Sequence, residues 1–125
     1  MRIMIAAAIM AAAIPFAYAQ DHAGGAIKVA AEGGVLTDSK GMTLYTFDRD
    51  EAGTSNCYDT CATNWPPLTA DAGAQPDGDF TLVERTDGSM QWAYKGKPLY
   101  LWTKDTKPGD VTGDGVNDVW HIAVE

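Results

Sequence analysis

Two aspartates are the first residues to weigh for chemistry. Asp50 and Asp105 each end the same pattern, Gly-x-x-Leu-Tyr-x-aromatic-x-x-Asp, running from Gly41 to Asp50 and again from Gly96 to Asp105. Two carboxylates held about 5 to 10 Å apart in an open cleft serve as acid and base in hydrolases. Asp50 and Asp105 are therefore one candidate catalytic pair. Cys57 and Cys61 are a second candidate, as either a redox pair or a structural disulfide. Their spacing is longer than the C-x-x-C of thiol oxidoreductases, and no Lys, Arg or His stands between or beside them to favour a thiolate. The spacing predicts a disulfide closing a short loop, with about 2 kcal/mol from loop closure.

A third group lies near the C-terminus. Asp110, Thr112, Asp114, Val116 and Asp118 fall at positions 1, 3, 5, 7 and 9 of a calcium loop, with Gly115 at position 6. His121 stands at position 12, where such a loop needs a bidentate Glu, so the competing reading is a solvated Gly/Asp turn. Calcium is the one cofactor that the chain raises as a candidate; none other is expected. His22 and His121 are too scattered to pair with the cysteines in the ligand spacing of a structural zinc site. No nucleophile-elbow motif, phosphate-binding Gly loop or metal-ligating His pair occurs.

The elements that must position these residues come in two copies. Lys40-Gly41-x-x-Leu44-Tyr45-x-Phe47-x-x-Asp50 returns as Lys95-Gly96-x-x-Leu99-Tyr100-x-Trp102-x-x-Asp105, and Trp65 is echoed by Trp120, all at a constant offset of 55. A fixed offset is the mark of one structural unit repeated. Alternation at Ile27, Val29 and Ala31 and the run Val35 to Thr37 read as strands, followed by a turn at Asp38 to Gly41 and a return strand from Met42 to Phe47. In the second copy Phe80 to Arg85, a turn at Asp87-Gly88, Met90 to Tyr94, a turn at Lys95-Gly96 and Lys97 to Trp102 follow the same plan, with a closing strand at Val119 to Val124. Pro98 has no amide to donate, which places it at an edge or at the first pairs of its strand. Only Asn56 to Asn64 offers a turn or two of helix.

The expected fold is all-β: two homologous hairpin-based repeats in one small domain, with at most a short helix near Cys57 and Cys61. Residues 26–125 make this duplicated domain, repeat 1 over about 26–70, a connector rich in Ala, Asp, Gly and Pro over about 69–79, and repeat 2 over about 80–125. Residues 1–19 have one charge at Arg2, an apolar run from Ile3 to Ile14 and the ending Ala17-Tyr18-Ala19, which together predict a signal peptide cleaved after Ala19. Residues 20–25 read as a flexible leader. No Cys follows the cleavage point, so the attachment used by bacterial lipoproteins is not on offer, and the expected address is periplasmic or secreted. Removing residues 1–19 leaves eight Lys and Arg against 17 Asp and Glu, a formal charge of −9 on 106 residues. That balance argues against nucleic acid and anionic membrane as partners and leaves a cation or an extracytoplasmic partner.

The signature segments, followed by Cys57-x-x-x-Cys61-Ala62-x-x-Trp65-Pro66-Pro67-Leu68, Arg85-Thr86-Asp87-Gly88, Pro108-Gly109-Asp110, Gly115-Val116 and Trp120-His121, resemble the bacterial secreted-repeat family. That family is described as predicted lipoproteins with a Y-x-[FWY]-x-x-D motif. The resemblance covers nearly all of the chain after residue 19. It implies an extracytoplasmic, duplicated protein and brings no established activity with it. Tyr45, Phe47, Asp50, Tyr100, Trp102 and Asp105 carry over as signature positions without assigned roles, and the missing lipidation Cys departs from the lipoprotein description.

The signature has two readings. On a strand, residues i and i+2 share a face, so Tyr45 with Phe47 and Tyr100 with Trp102 form either an aromatic platform with a carboxylate at its lip or a packed core in which Asp meets the buried Tyr hydroxyl. Duplication favours the core, because a fold-specifying contact must be made in each copy whereas catalysis needs only one. The resulting expectation is an exported, non-enzymatic binding or structural module. The alternatives are a carboxylate hydrolase built on Asp50 and Asp105, or a metal- or redox-handling protein using Cys57, Cys61 and His121. Trp65, Trp92, Trp102 and Trp120 are expected inside rather than as a sugar-stacking surface.

Overall fold

The computed structural model describes residues 18–125. Eight short strands run through it: β1 (Tyr18–His22), β2 (Ile27–Ala30), β3 (Leu36–Asp38), β4 (Tyr45–Phe47), β5 (Phe80–Glu84), β6 (Met90–Tyr94), β7 (Lys97–Pro98) and β8 (Trp120–Ile122). A single α-helix, α1 (Thr60–Asn64), follows Cys57, and two 3-10 turns complete the regular structure. The strands form three small antiparallel sheets, β1-β2-β3, β4-β8 and β5-β6-β7. This is the all-β, duplicated architecture that the offset predicts.

The hairpins arise where the turn chemistry places them. Asp38 accepts the amides of Lys40 and Met42 through its side chain, and Gly41 adopts φ 86°, which folds the chain back so that Leu44 N reaches Leu36 O. Gly88, at φ 89°, closes the β5–β6 turn with its amide on Arg85 O. Pro98 sits at the end of β7 against Ala93, on the outer strand of its sheet.

The repeats are not side by side but interleaved. The strand that closes repeat 2, β8, pairs with β4 of repeat 1: Tyr45 lies opposite Ile122 and Phe47 opposite Trp120. The segment that closes repeat 1 does the reciprocal thing. Pro67 bridges Tyr100, Leu101 N donates to Pro66 O, and Leu68 N donates to Leu99 O. At the centre Tyr45 N donates to Tyr100 O (2.8 Å) and Tyr100 N to Tyr45 O (3.0 Å), an exchange that marks a pseudo-twofold axis. Each repeat thus donates its last strand to the other. The apolar core follows suit, with Ile27, Leu36 and Leu44 packed against Trp92, Leu99 and Ala123.

Residues 20–25, expected as a leader, are ordered into this framework. Gln20, Asp21 and His22 pair with Val29, Lys28 and Ile27, and Ala23–Gly25 forms a 3-10 turn. The side chains of β1 are mostly exposed, so backbone pairing and a few polar and ring contacts hold the strand, and no hydrophobic alternation marks it. The ring of His22 stacks on Phe80 at 4.6 Å, and its Nε2 lies 3.2 Å from the Glu125 carboxylate. The expected signal peptide lies outside the described residues except for Tyr18 and Ala19, and no helix among the described residues is long and apolar enough to cross a membrane.

The exchange of closing strands makes a specific expectation about fragments. A chain ending at residue 75 and a chain starting at residue 76 are each expected to give unfolded spectra alone and to recover native tryptophan fluorescence and circular dichroism when mixed. Cooperative unfolding of either fragment by itself would contradict the interleaving.

Candidate functional site

The signature residues meet at the pseudo-twofold axis, and they meet crosswise. The Tyr45 hydroxyl donates to Asp105 Oδ2 at 2.6 Å, and the Tyr100 hydroxyl donates to Asp50 Oδ2 at 2.7 Å. The second oxygen of each carboxylate serves its own loop: Asp50 Oδ1 accepts the Asn56 amide at 2.7 Å, and Asp105 Oδ1 accepts the amide and hydroxyl of Thr112 at 3.0 and 2.6 Å. The turns that aim the two aspartates match, since Asp50 N bonds to Phe47 O and Asp105 N to Trp102 O. Tyr45 and Tyr100 are fully buried and Asp105 nearly so, whereas Asp50 is half-buried.

Burial sets the protonation of these groups. It raises both phenol pKa values well above the ordinary 10, and for Tyr45 the accepting Asp105 carboxylate adds to the effect. Both hydroxyls therefore keep their protons and act as donors. Asp50 is also raised above its ordinary 3.8, because desolvation outweighs the bonds from Asn56 and Tyr100 and the charge of Arg85.

Behind the tyrosines stands a column of four rings in the order Trp102, Trp65, Trp120, Phe47, with centroid separations of 3.8, 3.8 and 4.3 Å. The column obeys the same axis: the offset exchanges Trp65 with Trp120 and Phe47 with Trp102. Tyr45 meets Trp65 edge-on at 5.3 Å, and Tyr100 meets Trp120 edge-on at 5.2 Å. Trp65, Trp92 and Trp120 are buried and Trp102 is half-buried. Cys57, joined to Cys61 by a disulfide, packs against the column.

One buried charge has no counterpart in the other repeat. Arg85 is 6% exposed and donates to Ser55 Oγ, Gln91 Oε1 and Cys57 O at 3.0, 2.8 and 2.7 Å, with its guanidinium 4.3 Å from the Tyr58 ring centre. Ser55 lies 2.6 Å from the Tyr100 hydroxyl, so a directed chain of donors runs Arg85, Ser55, Tyr100, Asp50. Sequence reasoning noted Arg85 only as a landmark. The available signal was an arginine ending a strand next to Asp87-Gly88 in a chain otherwise poor in cations.

The Asp-rich loop is arranged around the column. Asp110 takes the Lys107 ammonium at 2.7 Å together with the amides of Thr106 and Lys107, and these bonds hold its carboxyl far below the usual range. Thr112 is turned to Asp105, and Asp114 accepts the Ile122 amide at 3.2 Å. Gly113 lies so close to the rings that a Cβ there would stand 2.8 Å from Trp65 and 2.9 Å from Tyr45; its amide bonds the Tyr45 hydroxyl. The glycine thus answers to a close approach. Among the described residues no group of three or more His, Cys, Asp or Glu side chains is placed to hold a metal ion. Asp114 and Asp118 stand in the same exposed turn, with Val116 half-buried. His121 pairs with Asp48 at 2.8 Å on the surface, away from the disulfide's buried Cys57.

A family model described as a secreted repeat of unknown function matches residues 26–69 and 81–124. No curated protein and no solved structure matches the chain.

Two outcomes follow from the crossed bonds. Tyr45→Phe strands a buried carboxylate oxygen of Asp105 and Tyr100→Phe does the same to Asp50, so each variant is expected to lose about 1–3 kcal/mol in urea unfolding, with the buried Asp105 side the more sensitive. A loss below about 0.5 kcal/mol for Tyr45→Phe would show the bond to be dispensable. For Asp50 the sign is set by a raised folded-state pKa: the native state holds the proton more tightly, so this group's contribution is fully present below the ordinary 3.8 and is lost as pH rises through the folded value. The stability deficit of Asp50→Asn relative to the parent should therefore shrink as pH rises above about 4. A deficit that grows over that range would mean that the carboxylate's bonds outweigh its burial.

Proposed function

The chain belongs to the secreted-repeat family, and within it we propose an exported, non-enzymatic binding module whose shared signature builds the interior instead of performing chemistry. The observation that carries this reading is the use of the carboxylates. Each signature Asp has one oxygen on a tyrosine of the opposite repeat and the other on an amide of its own loop. Carboxylates so engaged are poorly placed to shuttle protons to a substrate, since a general acid or base must reach the reacting group. The rings that would line a catalytic platform are stacked on one another instead.

Export is part of the same proposal. Cleavage after Ala19 leaves Gln20, Asp21 and His22 in place against β2, so the mature chain keeps most of its outer strand. The disulfide fits an oxidising compartment. An acidic surface suits a protein kept soluble outside the cytoplasm.

The carboxylate-hydrolase alternative is tested directly. Purified chain beginning at residue 20 is expected to release no product from chromogenic glycosides or esters beyond a heat-denatured control, while Asp105→Asn lowers the unfolding temperature. Turnover that disappears in Asp50→Asn at an unchanged unfolding temperature would overturn the proposal.

A further inference from the structure

The duplication separates two kinds of residue. The crossed contacts at the axis recur at the offset of 55: Tyr45 with Tyr100, Asp50 with Asp105, Trp65 with Trp120. A residue with an unlike counterpart is not demanded by those contacts in both copies, whether it packs the core, as Trp92 does opposite Thr37, or stands on the surface. Three exposed polar residues of this second kind, together with an arginine whose counterpart is also a cation, line one groove of about 320 Å³ beside Trp65 and Trp120, where the pseudo-twofold axis passes between the two indoles. They are Arg49, Thr60, Asn64 and Asn117. Their counterparts at the offset are Lys104, Gly115, Val119 and Ala62.

Charge singles the groove out further. The chain has 17 Asp and Glu, yet none lines this hollow. Its neighbours differ: one is lined by Asp38 and Asp71, another by Asp48 and Glu125, and a third by Asp48, Asp50 and Glu51. Arg49 is the groove's only charge. Among the described residues no carboxylate pairs with its guanidinium, a condition it shares with Lys40, Lys95, Lys97 and Lys104 but not with Lys28 and Lys107. The side chains of Thr60, Asn64 and Asn117 likewise have no hydrogen-bond partner among the described residues, while the Asn64 carbonyl is held by Thr103.

The geometry points to a binding site for an acidic sugar, a uronate unit of a glycan. This rests on the reading of the chain as a binding module and names its ligand class. The guanidinium is a planar fork of donors that matches a carboxylate through two parallel bonds. Two carboxamides and a hydroxyl supply both donors and acceptors, which is what a ring bearing several hydroxyls requires. Phe47 and Val119, with the slightly exposed rims of Trp65 and Trp120, give the sugar's C–H faces an apolar floor, and a groove of this volume is in the range of small-ligand sites. The net charge of the chain repels anions at long range, so the site draws on short-range pairing at Arg49 rather than on the field of the whole protein.

The test is a calorimetric titration of the chain from residue 20 with trigalacturonate, with maltotriose and benzoate as the neutral-sugar and aromatic-acid probes. Trigalacturonate is expected to bind below about 1 mM, with both controls at least about tenfold weaker. Arg49→Ala should weaken the acidic sugar about tenfold and leave maltotriose unchanged, and the Asn64→Ala, Asn117→Ala pair should weaken it severalfold at an unchanged unfolding temperature. No binding of trigalacturonate, equal binding of maltotriose, tighter binding of benzoate, or indifference to Arg49→Ala would each overturn the site. Chromatography of the recovered glycan separates this from the broader reading: intact glycan supports both, whereas Arg49-dependent binding with cleavage keeps the site and overturns the non-enzymatic module.

Discussion

A buried phenol and a buried carboxylate each cost free energy unless they answer one another, and here the answer always comes from the opposite repeat. Asp105 is 8% exposed, and the Tyr45 hydroxyl and the Thr112 loop saturate its carboxyl oxygens in that position. The same bond constrains the chain as a whole. Tyr45 reaches Asp105 only if the two repeats face each other across the Tyr45–Tyr100 backbone exchange, and that exchange brings each closing strand into the other repeat's sheet. Strand donation, ring stacking and carboxylate burial are therefore three consequences of one arrangement. A hairpin alone is marginal in water, and although β1-β2-β3 and β5-β6-β7 each lie within one repeat, the β4-β8 sheet and the Tyr45–Tyr100 exchange exist only when both repeats are present.

Much of this was legible in the residues. The offset of 55, the turn formers at Asp38 to Gly41 and at Asp87-Gly88, and the β-rich runs around them locate β2, β3, β5, β6 and β8 within a residue or two, while the expected strands Met42 to Phe47 and Lys97 to Trp102 shorten to β4 and β7. Tyr45 and Asp50 also announced a hydroxyl and a carboxylate that need partners. What the residues could not say is which copy supplies the partner. Tyr45 with Asp50 and Tyr45 with Asp105 satisfy the same local chemistry, and only the relative placement of the repeats decides between them. The ring column was hidden for the same reason, because Trp65 and Trp120 are 55 residues apart and their spacing along the chain shows no contact. Residues 20–25 misled in the opposite direction: a strand held mainly by backbone pairing, with mostly exposed side chains, leaves no mark in side-chain periodicity.

The loop at Asp110 to Asp118 carries residues that two different demands would both select. Its Asp, Thr and Gly residues fall at calcium-loop positions, yet Thr112 is turned to Asp105, and Gly113 is required because any side chain there would meet Trp65 and Tyr45. A loop that must cap a carboxylate, pass a glycine over an aromatic column and return its chain to β8 draws on the same turn-forming residues that a cation loop uses. Composition alone does not separate the two.

Symmetry also has a limit that is informative. The Asp50 half of the crossed network is reached by a buried arginine through Ser55 and Tyr100, and the Asp105 half is not; the residue at the offset from Arg85 is Ala30. A buried guanidinium without a directly bonded carboxylate is expensive to desolvate, and here carbonyl, amide and hydroxyl oxygens share the load while Asp50 supplies the opposite charge at the end of the chain. Arg85 also bonds the carbonyl of Cys57, so it ties the disulfide loop, whose α1 carries Thr60 and Asn64, to the sheet of repeat 2. The polar groups with unlike counterparts are thus not scattered: one set braces the disulfide loop from inside, and the other lines the surface above the same loop. The repeats differ over most of their length, and around α1 the differences supply both the internal brace and the polar lining.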